Sequence, residues 1–197
     1  MFRELVGHRP HDAIEQAKVW NPTHTARGAL GLDGYTNQEW IKEWTKPTGL
    51  SVCQLLRLDG NEGVGPATHF FSWWLGTPLA DVLTAMEAYM AAHPELDEAT
   101  TYWWVCDYAF SQTAMKGIPE TSAWCKMEGL QSLVQTIGRT VMMLEPWDAP
   151  STVGRIWCLW EILNTQRGGA IFEVAISDAQ AARFVEALVR DWRSIMK

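Results

Sequence analysis

From Thr68 onward the chain alternates short apolar runs with stretches of helical periodicity, and this alternation restricts the fold more than any other feature. A short apolar run bounded by turn residues reads as a buried strand, and apolar residues at i, i+3, i+4 and i+7 read as one face of a helix. "THFFSWW" gives a first strand. "TPLADVLTAMEAYM" follows as a helix, with Thr77 as N-cap, Pro78 in the first turn, and Leu79, Val82, Leu83, Met86 and Met90 on one face. "TTYWWVCDYAF" gives a second strand, "GLQSLVQTIGR" a helix that Gly138 terminates, and "TVMMLEP" a third strand. "GRIWCLWEILNT" is the next helix, and "GGAIFEVAIS" is a fourth strand whose nearly continuous apolar character suits burial on both faces. The last helix opens with a capping box of Ser177 and Gln180 and is expected to bury Phe184, Leu188, Trp192 and Ile195. Strands alternating with helices imply a doubly wound α/β domain with a parallel sheet of four or five strands. Right-handed crossovers and a flavodoxin-like order place the first strand between the second and third, with a ligand crevice at the carboxyl ends of the first and third.

The first 65 residues follow another pattern, polar and rich in Gly, Pro and His. Within them "TNQEWIKEW" reads as a short helix, with Thr36 and Glu39 as a capping box before Trp40, Ile41 and Trp44. "LSVCQLLRL" reads as a second. "DGNEGVGP" is a loop and the best boundary, which divides the chain into an extension, residues 1–65, and an α/β domain, residues 66–197. The extension has too little periodic apolar sequence to fold alone, and Trp20, Trp40 and Trp44 are expected to dock it on the domain.

Twelve tryptophans require large flat surfaces to be buried or used. A formal charge of -7 excludes a general nucleic-acid surface and an anionic membrane as partners, since both need a clustered positive field. Cys53, Cys106, Cys125 and Cys158 show neither a zinc nor a redox spacing, and suit free thiols in a reducing compartment. The N-terminus is too polar for a secretory signal, so the cytoplasm is the expected location, and no metal or cofactor is expected. "LDGNEGVG" precedes a strand and is no phosphate loop; pyrophosphate would meet the amides at Gly76 to Leu79.

The expected crevice gathers Ser72, Trp73, Trp74 and Gly76 after the first strand, Asp107 near the second, Glu145 to Asp148 with Trp147 after the third, and the helix carrying Glu161. Trp157, Trp160, Glu161 and Asn164 share an inward stripe by their spacing. A carboxylate among apolar neighbours costs several kcal/mol unless paired or protonated. Glu161 either pairs with Arg155 or Arg167, or acts. A lone carboxylate beside aromatic walls suits cleavage of an N-glycosidic bond whose base leaves as a neutral molecule, as nicotinamide leaves NAD, because no acid is needed to protonate it. In that reading Trp73 or Trp74, with Trp147 and Trp157, lines the substrate site and Ser72 adds a hydrogen bond. His69 reads as a packed core histidine, Cys158 as a buried structural thiol, and Asp107 as either a crevice carboxylate or a solvated one.

"TVMMLEPWDAPSTVGRIWCLWEIL" is similar to the segment of Toll/interleukin receptor (TIR) domains in which an apolar strand, a loop and a helix with a Trp-Cys-Leu-x-Glu-Leu pattern follow one another. Trp157, Cys158, Leu159, Glu161 and Ile162 fall on that pattern. "HFFSWWLG" resembles the TIR opening strand, with Ser72 and Trp73 on its Ser-aromatic pair and Trp74 where a basic residue often stands. "YWWVCDYAFSQ" resembles the Trp-(Val/Ile)-Asp and terminal Asn-Gln pattern of heterokaryon-incompatibility domains, which are TIR relatives. The resemblance spans Thr68 to Lys197. It implies a TIR-like fold, Glu161 as the catalytic residue of an NAD hydrolase or cyclase, and self-association in signalling or defence. It also implies a rival from another class, a non-catalytic TIR-like assembly module. A third reading, deoxyribose transfer between nucleosides, uses a similar carboxylate.

Overall fold

The computed structural model describes residues 6–8, 33–113 and 127–195. Its strands are β1 (Val6–His8), β2 (Val64–Pro66), β3 (His69–Ser72), β4 (Trp103–Trp104), β5 (Arg139–Met143) and β6 (Ile171–Ala175). They form one sheet in the order β2-β1-β4-β3-β5-β6. Strands β4, β3, β5 and β6 run parallel, and β1 is antiparallel to both its neighbours. The expected order holds: β3, the first strand of the alternating region, lies between β4 and β5. This mixed α/β arrangement with four parallel strands is compatible with a flavodoxin-like fold.

The helices are α1 (Gly34–Thr45), α2 (Val52–Leu58), α3 (Leu79–Ala92), α4 (Cys106–Ala109), α5 (Met127–Ile137), α6 (Ile156–Arg167) and α7 (Asp178–Ile195), with a 3-10 turn at Ser151–Gly154. They cover both faces of the sheet because strand side chains alternate. Phe71, Trp103, Val141 and Met143 share a core with Ile41 of α1, Val52 and Leu56 of α2, and Val82 and Met86 of α3. On the other face Phe70 stacks on Trp104 at 4.9 Å and packs with Leu133 and Val134 of α5. Helix α6 lies on this second face, where the Thr165 hydroxyl meets that of Thr140 at 2.8 Å. Strands β1 and β2 were not read from the sequence; β2 spans the boundary placed after residue 65, and β1 joins the same sheet.

Several expectations are corrected. The second strand ends at Trp104, and Cys106–Ala109 turn helical, because the Asp107 side chain is drawn back to α1 and tertiary contact overrides strand propensity. The cap of α1 is Asp33, whose carboxylate accepts from the Thr36 N–H at 2.8 Å; Glu39 pairs with Lys42. Pro78, and not Thr77, precedes α3, and the Thr77 N–H turns back to the Trp74 carbonyl at 2.9 Å. Helix α2 begins with a capping box of Ser51 and Gln54 that the sequence reading did not single out. Strand β6 is an edge strand with Ile171 and Val174 exposed, so it is not buried on both faces. At the start of α7 the Ser177 N–H goes to Glu145 and the Gln180 side chain accepts from the Trp147 N–H, so these two residues tie α7 to the loop after β5. Phe184 and Trp192 of α7 are exposed. Gly138 ends α5 at φ 75°, as its position predicts. Trp20, Cys125 and the Ile195 side chain lie outside the described residues. Among the described residues no helix is long and apolar enough to cross a membrane.

Candidate functional site

Ser72 is the last residue of β3, and Glu161 sits midway along α6, the helix that follows β5. The topology brings both to the carboxyl edge of the sheet. There the Ser72 hydroxyl donates to Glu161 Oε2 at 2.5 Å. The inward stripe of α6 runs through Cys158, Glu161 and Thr165, at i, i+3 and i+7. Trp157 is off that stripe and 55% exposed, which corrects the expectation that it faces inward with Glu161. Burial pushes the Glu161 carboxyl up to about 7, and the Ser72 hydrogen bond holds it back from rising further. Among the described residues no basic side chain forms an ion pair with Glu161. Arg155 instead donates to the Tyr35 hydroxyl at 3.0 Å.

Two thiols border the pair. Cys158 is buried, with its Sγ 3.7 Å from the Trp73 carbonyl oxygen, and burial, then the Glu161 charge, pushes it up to about 11. Cys106 is held well above the ordinary thiol range by burial, then by the charges of Asp107 and Glu161. Neither is a nucleophile in this setting, because attack needs the thiolate. The arrangement suits a carboxyl that shares its proton near neutral pH and meets, when ionised, a positively charged centre.

Asp107 is fully buried, at 0% exposure, so it is not the solvated loop carboxylate of one expectation. It accepts from Asn37 Nδ2 at 3.1 Å, Gln38 Nε2 at 2.8 Å and the Cys106 thiol at 3.4 Å. Burial pushes it up to about 6 against those three donors. The Gln112 amide donates to the Cys106 carbonyl at 3.1 Å and helps close the α4 turn.

The aromatic residues divide. Trp73 is buried in the core shared with α1 and α3, so it packs instead of lining the crevice. Trp74 is half-buried, with its ring so close over Gly76 that a Cβ there would lie 2.3 Å from it. An anion site at Gly76 to Leu79 is therefore obstructed: the ring covers Gly76, and Asp33 bridges to Pro78. Trp147 turns to α7 and meets Phe184 edge-on at 5.1 Å. Of the sequence-derived set, the structure brings Ser72 and Glu161 into contact, and Asp107 joins them only by way of Cys106.

His69 packs 4.9 Å from Trp103, and burial, with a smaller effect of Arg139, pushes it down to about 4, so it is a neutral core histidine. Among the described residues no cluster of His, Cys, Asp and Glu could hold a metal ion. Sequence reasoning missed Asn37, Gln38, Tyr35 and Cys106. The one signal was Asn37 itself, a polar residue in line with Ile41 and Thr45 at helical spacing. No family model, curated protein or solved structure matches this chain.

Proposed function

We propose that the chain is a TIR-like, flavodoxin-like α/β protein of the cytoplasm that cleaves NAD at the bond between nicotinamide and ribose. The hydrogen bond from Ser72 to Glu161, at the carboxyl edge of the sheet and with no paired cation among the described residues, is the observation that carries this reading. As the C–N bond breaks, its electron pair goes to the positively charged ring, and nicotinamide leaves neutral. The Glu161 carboxylate stabilises the oxocarbenium-like ribose left behind, and water adds at the same carbon with loss of a proton. Trp74, half-buried at the rim, is the remaining candidate to stack on a base.

A second reading, a non-catalytic module that associates with copies of itself, is favoured by the exposed Ile156, Trp157 and Leu159 at the start of α6. Incubation of concentrated protein with NAD, followed by chromatography, decides between them. Release of nicotinamide that Glu161→Gln abolishes, at an unchanged melting temperature, supports the enzyme. No release from protein that light scattering shows to be associated removes it.

A further inference from the structure

Strand β6 closes one side of the sheet, and its register with β5 decides which of its backbone groups are free. The Ile171 N–H donates to the Gly138 carbonyl at 2.9 Å, and the Ala175 carbonyl accepts from the Leu144 N–H at 3.0 Å. Ile171, Glu173 and Ala175 therefore turn their backbone polar groups toward β5, and by the alternation of the ladder Phe172 and Val174 turn theirs outward. Ile176 follows them, since the Ser177 N–H returns to Glu145 on the β5 side. Among the described residues nothing bonds to these outward groups. A free edge is ordinarily guarded by lysine, proline, a bulge or a charge that a new strand would bury. Strand β6 has no lysine or proline, and its register runs unbroken from Ile171 to Ala175. Its one charge, Glu173, is already engaged: the carboxylate accepts from Arg139 Nη1 at 2.5 Å and from the Tyr89 hydroxyl at 2.7 Å, and lies 3.5 Å from His93 Nε2. Ile171 and Val174 stay 49% and 45% exposed on the two faces.

We propose that this edge pairs with the same edge of a second copy of the chain, antiparallel about a two-fold axis at Val174, so that the two sheets run on as one. The outward residues limit the register. An axis at Glu173 sets the two carboxylates opposite each other in a close pair without hydrogen bonds, with Cα atoms about 4.5 Å apart, which like charge disfavours. An axis at Phe172 needs the Ala170 N–H, which already goes to the Thr165 carbonyl at 3.0 Å. An axis at Val174 bonds Phe172 to the partner's Ile176 and sets Glu173 beside the partner's Ala175, a small residue that leaves the bonds to Arg139 and Tyr89 in place. Charge complementarity selects a copy of this chain as the occupant. Antiparallel pairing brings the start of one β6 beside the end of the other, so the exposed Arg167 before one strand comes to the side of the exposed Asp178 after its partner. The match is repeated on both sides of the axis, as an isologous interface requires. The proposal uses neither Ser72 nor Glu161 and stands apart from the NAD reading.

Amide hydrogen exchange resolved by residue, on the full chain at dilute and at high concentration, reads this edge directly, with sedimentation giving the mass. The amides of Phe172, Val174 and Ile176 are expected to exchange several-fold more slowly in concentrated than in dilute protein, while those of Ile171, Glu173 and Ala175 stay protected at both. Val174→Pro removes only an outward N–H, a change that edge strands tolerate. It is expected to abolish the concentration dependence at Phe172 and Ile176 without lowering the melting temperature of dilute protein. Val174→Lys, which sets two like charges opposite each other at the axis, is expected to do the same and serves if the proline variant does not fold. Amides of Phe172 and Val174 that exchange alike at both concentrations overturn the pairing, whether fast, as at an open edge, or slow, as at an edge covered within one chain. Association that survives Val174→Lys, or that Ile156→Lys on α6 removes instead, overturns it as well.

Discussion

At Glu161 burial and hydrogen bonding pull in opposite directions: burial favours the neutral acid, and the Ser72 hydroxyl favours the carboxylate. If the ionised form is the active one, turnover of NAD rises with pH through about 7, where the acid loses its proton. Ser72→Ala removes the donor that stabilises the charge, so the rising limb is expected to move to higher pH. A limb that stays in place, or moves down, would show that Ser72 does not set this ionisation. The tryptophans that follow Ser72 separate packing from binding. Trp73→Ala deletes a core side chain and is expected to cost roughly 3–5 kcal/mol in denaturant unfolding. Trp74→Ala, at a half-buried position, is expected to cost clearly less and to raise KM for NAD. Equal stability losses with unchanged KM would remove Trp74 from the site.

At the scale of elements, α7 has apolar residues on more than one side. Phe184 turns to Trp147, while Val185, Val189 and Trp192 face out, Val189 at 83% exposure. Val189→Gln is therefore expected to change stability by no more than about 0.5 kcal/mol. Phe184→Ala loses an aromatic pair worth roughly 0.5–1.5 kcal/mol, together with the apolar contact around it. Comparable losses from the two would mean that Val189 is covered in solution. The same helix shows where the sequence misleads, since periodicity marks an apolar face and does not say whether anything lies against it. Strands β3 and β5 and helices α3 and α5 were legible because each carries its own apolar period, whereas β1 and β2 are three residues each and exist only by pairing with distant chain. Helix α4 was hidden inside a run of strand formers. Ser72 and Glu161 could be paired in advance because topology alone brings the ends of β3 and β5 together. The Asn37–Asp107 contact could not, since it joins residues 70 apart that no pattern links.

Over the whole molecule, two desolvated carboxyls, Asp107 fully buried and Glu161 half-buried, should make stability depend on pH in an unusual direction. Glu161 moves from 4.5 to about 7 on folding, and Asp107 from 3.8 to about 6. A carboxyl whose folded pKa is raised does not disfavour folding below its unfolded pKa, where both states are protonated. As pH rises the unfolded chain ionises first, so stability falls until the folded pKa is passed. His69 acts in the opposite sense, because a histidine lowered from 6.5 to about 4 loses stability as pH falls through that window. The net curve mixes these, and a difference between variants isolates one group. Glu161→Gln keeps an acceptor for Ser72 and removes the ionisation. Its stability relative to the unaltered chain is expected to grow from about pH 4.5, level off above about pH 7, and reach on the order of 2 kcal/mol once partial exposure is allowed for. Denaturant midpoints taken across that range test it. A difference that stays flat would show that Glu161 titrates alike in both states, and one that grows toward acid pH would show that a cation holds it ionised.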